Sequence, residues 1–367
     1  MPASDLDTVL RRSVDLAAQL ARAVDQGGDL AVDHPAHSGP ILARTFAELG
    51  VFTLDAHRGA GELPDTVRLL EAVAAECLCS AFSIWAHRMV IEYLRASGGH
   101  TAVLQQLVRG ERAGSIAMAT AMQELAGLGS IPLRATPTAD GYRVSGRLTW
   151  ASNIEPGTVV VFPAHVQHTG AAPQRIILWA VIGEPGITVH PVTGLLALDA
   201  TRSAGLEFTG LAVPRARLIA PSLDAAVARR STHLTLQTAF CLGLAGRSLA
   251  EAQQQLDGAP SVIHRAHSEL RARHAEYTAQ LHSAAVDLTA TVPVAVTRLR
   301  LDAARHAVDA ARHESTLAGG RGYLTVAPSN RRLREATFLP VQSPSEVQLL
   351  TELERASQPQ SEPARVP

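Results

Sequence analysis

Apolar residues along this chain change their spacing twice, and no single element type satisfies both spacings. As far as residue 112 they recur at helical intervals. Between 113 and 222 they gather into short β-branched runs cut by Gly and Pro, and from 223 the helical interval returns. A pattern of period 3.6 cannot bury one face of a strand, nor a pattern of period 2 one face of a helix. The chain is therefore expected to be α+β in three parts. These are an N-terminal helical domain (1–112), a middle antiparallel β domain (113–222) built as a small barrel or sandwich, and a C-terminal helical bundle (223–356). The polar, Pro-rich tail SQPQSEPARVP (357–367) is expected to be disordered.

Local signals fill in this outline. Leu42, Phe46 and Leu49 mark an amphipathic segment that ends at Gly50. GVFTLDAHRGAGE (50–62) reads as an extended piece followed by a Gly-bearing loop, and 66–99 is apolar at helical spacing up to paired glycines. Asp140-Gly141 between two runs predicts a hairpin turn, and Pro293 sits near the turn before the last long helix. Aromatic residues make up only 4% of the chain, so the core must be built from Ala, Leu and Val, which lets helices approach closely.

Charge removes several functions. All 33 basic residues are Arg, against 34 acidic ones, so no lysine is present for a phosphate loop, a Schiff base or a lysine general base. A guanidinium stays protonated and cannot take over those roles. A net charge of −1 argues against nucleic acid as a partner. Cys77, Cys79 and Cys241 are too few and wrongly spaced for a disulfide framework or a zinc set, and no metal is expected; Cys77 and Cys79 read as core thiols. The charged N-terminus and the lack of a long apolar run predict a cytoplasmic protein with no membrane span.

Three segments carry a family pattern. DGYRVSGRLTWASN (140–153) resembles the Gly-Tyr turn, Asn-Gly-x-Lys and Trp-Ile-Thr/Ser-Asn of the acyl-CoA dehydrogenase superfamily of flavoproteins, with Gly146, Trp150, Ser152 and Asn153 in matching places and the lysine replaced. ERAGSIAMATAMQELAGLGS (111–130) is similar to that family's strand and loop, in which Thr-Glu-Pro precedes Gly-Ser-Asp. Ala119 and Thr120 match, Ala121-Met122 replaces Glu-Pro, and Ala126 replaces the Ser. AGGRGYLTVAPSNRRLREATFL (318–339) resembles its Gly-Gly-x-Gly-Tyr, Pro and Arg-Asp-Ala run, with Gly319, Gly320, Gly322, Tyr323, Pro328, Arg334 and Ala336 in register. The resemblance spans roughly residues 40–350 and implies that the C-terminal part is a four-helix bundle. It implies FAD, with FMN as the alternative, held by Ala119, Thr120, Trp150, Ser152, Thr316, Gly319, Gly320 and Ser345. Trp150 would pack near the flavin and Ser152 would hydrogen-bond its N5 region, from positions taken to share one face of a strand. A homodimer or homotetramer is implied too.

The pattern breaks at the catalytic base. Continuing the same register places Ser343 where the family has its Glu, and a serine hydroxyl cannot accept an α-proton unaided. Glu346 lies three residues on, and His233 falls near the position where a minority of the family carries its Glu. The Arg-x-x-Phe-Gly that binds the FAD pyrophosphate is missing, with Arg265 nearest to its place and Arg321 and Arg334 as further phosphate candidates. Three readings stand. One is a dehydrogenase of an acyl thioester, carried on CoA or a carrier protein, with an electron-transfer partner. The second is a monooxygenase using reduced flavin from a reductase, with His87 in the second helix matching such relatives. The third is a degenerate binding subunit. A lone histidine on a helix is more often structural, so His87 keeps both meanings.

Overall fold

The computed structural model describes residues 3–27, 39–59, 61–167 and 174–358. From residue 359 on, the tail expected to be disordered lies outside the described residues. Helices α1 (Ala3–Gly27), α2 (Gly39–Glu48), α3 (Pro64–Glu76), α4 (Leu78–Ser97) and α5 (Thr101–Val108) precede the strands. Every residue of α4 from Leu78 to Leu94 is buried, as in a helix with core on all sides. The apolar run read as one helix over 66–99 is two, parted at Cys77, whose extended backbone (φ −149°, ψ 103°) breaks it without Gly or Pro. Its end at Gly98 and Gly99 is as expected, both at positive φ. The piece at 50–62 is not extended: Gly50 (φ 84°) opens a tight 3₁₀ turn over Val51–Thr53 that buries Val51 and Phe52. All three cysteines are buried free thiols.

Eight strands follow among the described residues: β1 (Gly114–Ile116), β2 (Arg134–Pro137), β3 (Gly141–Ala151), β4 (Val159–Val166), β5 (Gln174–Val181), β6 (Ile187–Pro191), β7 (Ala204–Pro214) and β8 (Leu218–Ala220). They form one sheet in the order β6-β7-β3-β2-β4-β5-β8, with β1 added beside β4. The predicted hairpin is β2–β3, closed by Thr138 N–H donating to the Gly141 carbonyl. Gly141 admits no side chain, since a Cβ there would stand 2.2 Å from the Val213 carbonyl oxygen. The sheet is not wholly antiparallel, because β1 and β2 both run parallel to β4. Those pairings join segments separated by long connections, which strand-by-strand patterning does not report.

The C-terminal part holds α7 (Asp224–Ala228), α8 (Arg230–Gln253), α9 (Ser261–Val286), α10 (Pro293–Ala318), α11 (Pro328–Phe338) and α12 (Glu346–Ser357). Helices α8, α9 and α10 pack as the long members of the bundle, with α3 laid across α8. Gly243 permits that crossing: a Cβ there would meet the Glu71 carbonyl oxygen at 2.2 Å. Buried Ala303, Ala304, Ala307, Ala310 and Ala311 give α10 the smooth face that close packing needs. No described helix is long and apolar enough to cross a membrane.

Sheet and helices are joined at Asn153, just past the end of β3. Its backbone is left-handed (φ 61°), and its amide donates to Ser83 O in α4 (3.0 Å) and Gly114 O in β1 (3.1 Å). On the far side, α9 and α10 meet through two stacked imidazole pairs, His267–His313 (centroids 5.4 Å) and His274–His306 (5.6 Å). Burial first, then His274 and Arg273, push His306 down to about 4. The other three are lowered too, mainly by burial.

Two outcomes follow from these contacts. Asn153→Ala should lose about 2–3 kcal/mol in denaturant unfolding, since two buried carbonyls lose donors and a Cβ-bearing residue without a polar side chain must stay left-handed. Asn153→Gly should regain only about 1 kcal/mol of that. Folding lowers all four imidazoles, so each holds its proton less firmly in the fold than in the unfolded chain, where an imidazole protonates near pH 6.5. The unfolded chain therefore takes up protons first on acidification, and stability should drop as pH falls from about 6.5 towards 4. His306→Gln should make that drop shallower; an unchanged slope of denaturation midpoint against pH would show that the pairs are not its source.

Candidate functional site

Strand β3 loses register with β7 between Leu148 and Ala151, and within that irregular stretch Trp150 stands 54% exposed. The strand ends at Ala151, so Trp150 and Ser152 do not share one strand face as expected; Ser152 lies in the bend that leads into Asn153. The Ser152 hydroxyl contacts Ser203 Oγ (2.9 Å), Ser203 contacts Thr201 Oγ1 (2.9 Å), and Thr201 donates to Leu198 O (2.7 Å). Each hydroxyl has one proton, and the last is committed to a carbonyl. The donors therefore run one way, from Ser152 to Ser203 to Thr201, leaving Ser152 Oγ with lone pairs to accept an N–H.

Next to it, the segment expected as strand and loop is a strand followed by a short helix, α6 (Ala119–Leu125). With Ala121-Met122 in place of Glu-Pro, nothing interrupts a run of strong helix formers. Ala121 and Met122 are buried, and the Met122 carbonyl accepts from Gln348 Nε2 of α12 (2.9 Å). Glu124 accepts from Ile131 N (2.7 Å), meets His165 Nε2 (2.8 Å) and takes a bond from Arg175. Burial works to raise its pKa, but these partners together hold it below the usual carboxylate range. Helix α6 thus ties the sheet to α12. Ala119 opens the helix, and Thr120 Oγ1 is buried without a hydrogen-bond partner.

The three candidate bases fall in different places. His87 is committed at both nitrogens: Nδ1 accepts from Gly114 N (2.9 Å), so Nε2 is the donor to Leu107 O (3.0 Å). Burial above all lowers it to about 4, and its geometry is that of a bracket between α4, α5 and β1. Glu346 starts α12 on the outside of the bundle, with its carboxylate on Arg305. It does not reach the interior beside Ser343 as helical spacing suggested. His233 is inside, on α8, edge-on to Trp85 of α4 (centroids 4.9 Å). The Gln237 amide donates to His233 Nε2 (3.1 Å) and to Ser343 O (2.9 Å), so the proton of the neutral ring sits on Nδ1. Burial, then Arg230 and Arg300, push His233 down to about 3.

The remaining cofactor candidates lie near the ends of α10 and α12. Gly319 (φ 59°) ends α10, with Gly320 beside it in open space. Thr316 is exposed and donates to Arg312 O, and the Ser345 hydroxyl caps α12 by accepting from Gln348 N. Arg334 donates from Nη1 to Thr325 O and Asn330 while its Nε is buried without a partner, and Arg265 and Arg321 are exposed. No group of three or more metal-ligating side chains occurs among the described residues. Gln237, Arg300 and Trp85 were not singled out from the sequence. A usable signal existed for one of them: Arg300 occupies the stripe of Val296, Ala303 and Ala307 on α10, where a guanidinium is out of place.

No protein-family model matches the chain, and no curated protein matches it in sequence. Solved structures do. Butyryl-CoA dehydrogenase from Megasphaera elsdenii superposes with a TM-score of 0.79 over 95% of this chain and 97% of that one, at 16% identity. Glutaryl-CoA dehydrogenase from Mycobacterium smegmatis gives 0.79 over 97% and 95%, at 17% identity. PigA, solved with FAD and proline, gives 0.79 over 97% and 98%, also at 17% identity. At such identities the likeness is one of architecture: the chain has the fold of the acyl-CoA dehydrogenases.

Proposed function

We propose that this protein is an FAD-dependent oxidoreductase acting on the CH–CH bond of an acyl thioester. The observation that carries the reading is the exposed face of Trp150 beside a serine oxygen left free to accept. An indole face suits an aromatic ring system, and a lone-pair acceptor suits the N–H of a reduced flavin. The unpartnered Thr120 hydroxyl supports the same assignment, as does the open backbone at Gly320. Trp150, Ser152, Ala119 and Thr120 would hold the ring, and Gly319 and Gly320 a more distant part of the cofactor. Bound flavin supplies the acceptor for the substrate's β-hydride.

The chain itself must supply the acceptor of the α-proton. Of the three candidates only His233 is both interior and next to the loop carrying Ser343. In the ligand-free protein it is a weak base, and to gain a proton at Nε2 it must release the Gln237 amide. That weakness favours a second reading, a monooxygenase on the same fold that uses reduced flavin and oxygen and needs no such base.

The visible spectrum of the purified protein, before and after anaerobic mixing with butyryl-CoA, decides between them. Bleaching of bound flavin is the expected result. Oxygen-dependent product with a reductase present, and no anaerobic bleaching, would favour the second reading. A protein that takes up no flavin would sink both and leave a binding subunit. Trp150→Ala should weaken flavin binding about fivefold in a fluorescence titration while leaving the fold intact, because stacking of this kind is worth about 1 kcal/mol.

A further inference from the structure

Around Gln237 the interior holds an unbalanced set of polar atoms. Arg300 of α10 is fully buried, at 0% exposure. Its Nε donates to Gln237 Oε1 (3.1 Å), and its Nη2 to Leu339 O (3.0 Å) and Gln342 Oε1 (3.2 Å). All three acceptors are neutral, and Arg300 Nη1 has none. No carboxylate among the described residues pairs with this guanidinium, whereas the nearby Arg230 has Glu352. An isolated buried charge costs several kcal/mol unless an opposite charge meets it.

The other unpartnered atoms in this neighbourhood are of the same kind. Gln342 Nε2, Ser343 Oγ, His233 Nδ1 and Trp85 Nε1 are all buried without hydrogen-bond partners. Each is a donor or, for the hydroxyl, able to be one. They are linked through short contacts: Gln237 bonds His233, Ser343 O and Arg300; Arg300 bonds Gln342; Trp85 stands edge-on to His233. A cluster with surplus donors and one surplus positive charge is complementary to an anion whose oxygens accept several bonds at once.

We propose that Arg300, with Gln342 and Ser343, forms a seat for a carboxylate between α8, α10 and the loop leading to α12. The carboxylate comes either on the far end of the substrate's acyl group or from a free small acid. The first source rests on the thioester reading above; the second does not. Occupancy would also offset the positive charge that weakens His233, making this imidazole a better proton acceptor only when the seat is filled.

The test compares succinyl-CoA with butyryl-CoA, which differ by a carboxylate in place of a methyl group, and separately acetate with acetamide. Binding to the flavin-loaded protein is read by calorimetry, with flavin content recorded for each variant. Succinyl-CoA should bind at least tenfold more tightly than butyryl-CoA, and Arg300→Met should abolish that preference. If Arg300→Met does not fold, Ser343→Ala and Gln342→Leu keep the guanidinium and should each cut the preference at least threefold. Acetate, but not acetamide, should raise the pKa of His233 followed by ¹⁵N NMR, a change that a purely structural arginine would not produce. Acetate binding without a succinyl preference would assign the seat to a free acid. Equal affinities in both comparisons, with an unmoved His233, would overturn the proposal. Absence of flavin would strike the thioester reading alone, because the acetate arm needs none.

Discussion

The junction between sheet and helices depends on one side-chain amide. Asn153 spends both its N–H groups on carbonyls of different elements, Ser83 O in α4 and Gly114 O in β1, and its left-handed backbone turns the chain out of β3 at that point. Everything proposed for the cofactor face is referred to this joint. Trp150 and Ser152 immediately precede it, β1 leads on towards α6, and the same stretch of α4 carries Trp85 and His87. His87 repeats the device one turn on, receiving the Gly114 N–H and donating to Leu107 O, so that the amide and carbonyl of one glycine are both taken by side chains. Glycine suits the position, because a Cβ there would press on Val90 at 3.1 Å.

Much of this architecture was legible because it is written locally. The two changes of apolar spacing, the Asp140-Gly141 turn and the glycines closing α4 each act within a few residues, and the structure agrees with them. The parallel pairing of β1 and β2 with β4 was not legible, since register between distant strands leaves no local mark. Helix α6 was misread for a different reason: the resemblance implied a loop, while the residues actually present, Ala121 and Met122, favour a helix. There the chain's own propensities were the better guide.

The candidate site shows the same divide more sharply. Trp150 and Ser152 could be picked out by motif, though not the one-way run of hydroxyl donors that gives Ser152 its accepting character. Nothing in a sequence says whether a lone histidine has its nitrogens taken. His87 has both committed to backbone, and His233 keeps a free Nδ1 at the centre of a donor-rich interior. The resemblance alone makes Ser343 the place of a missing glutamate, and so a sign of decay. In the proposed seat the serine takes a different meaning, because it leaves the Arg300 guanidinium, two hydrogen bonds away through Gln237, without a carboxylate partner there.

The imidazole ladder on the far side of the bundle carries information of a different kind. His267 and His274 are seven residues apart on α9, His306 and His313 seven apart on α10, and they pair in opposite order. Two flat rings that stack at two rungs define both the direction and the offset of one helix against the other, as a key with two teeth fits a lock in one orientation. Sliding α9 by a single turn would set each ring against a neighbour of another shape at both rungs together. Against the alanine-rich face of α10, where one turn packs much like the next, such rungs are what distinguish the native alignment from its near copies.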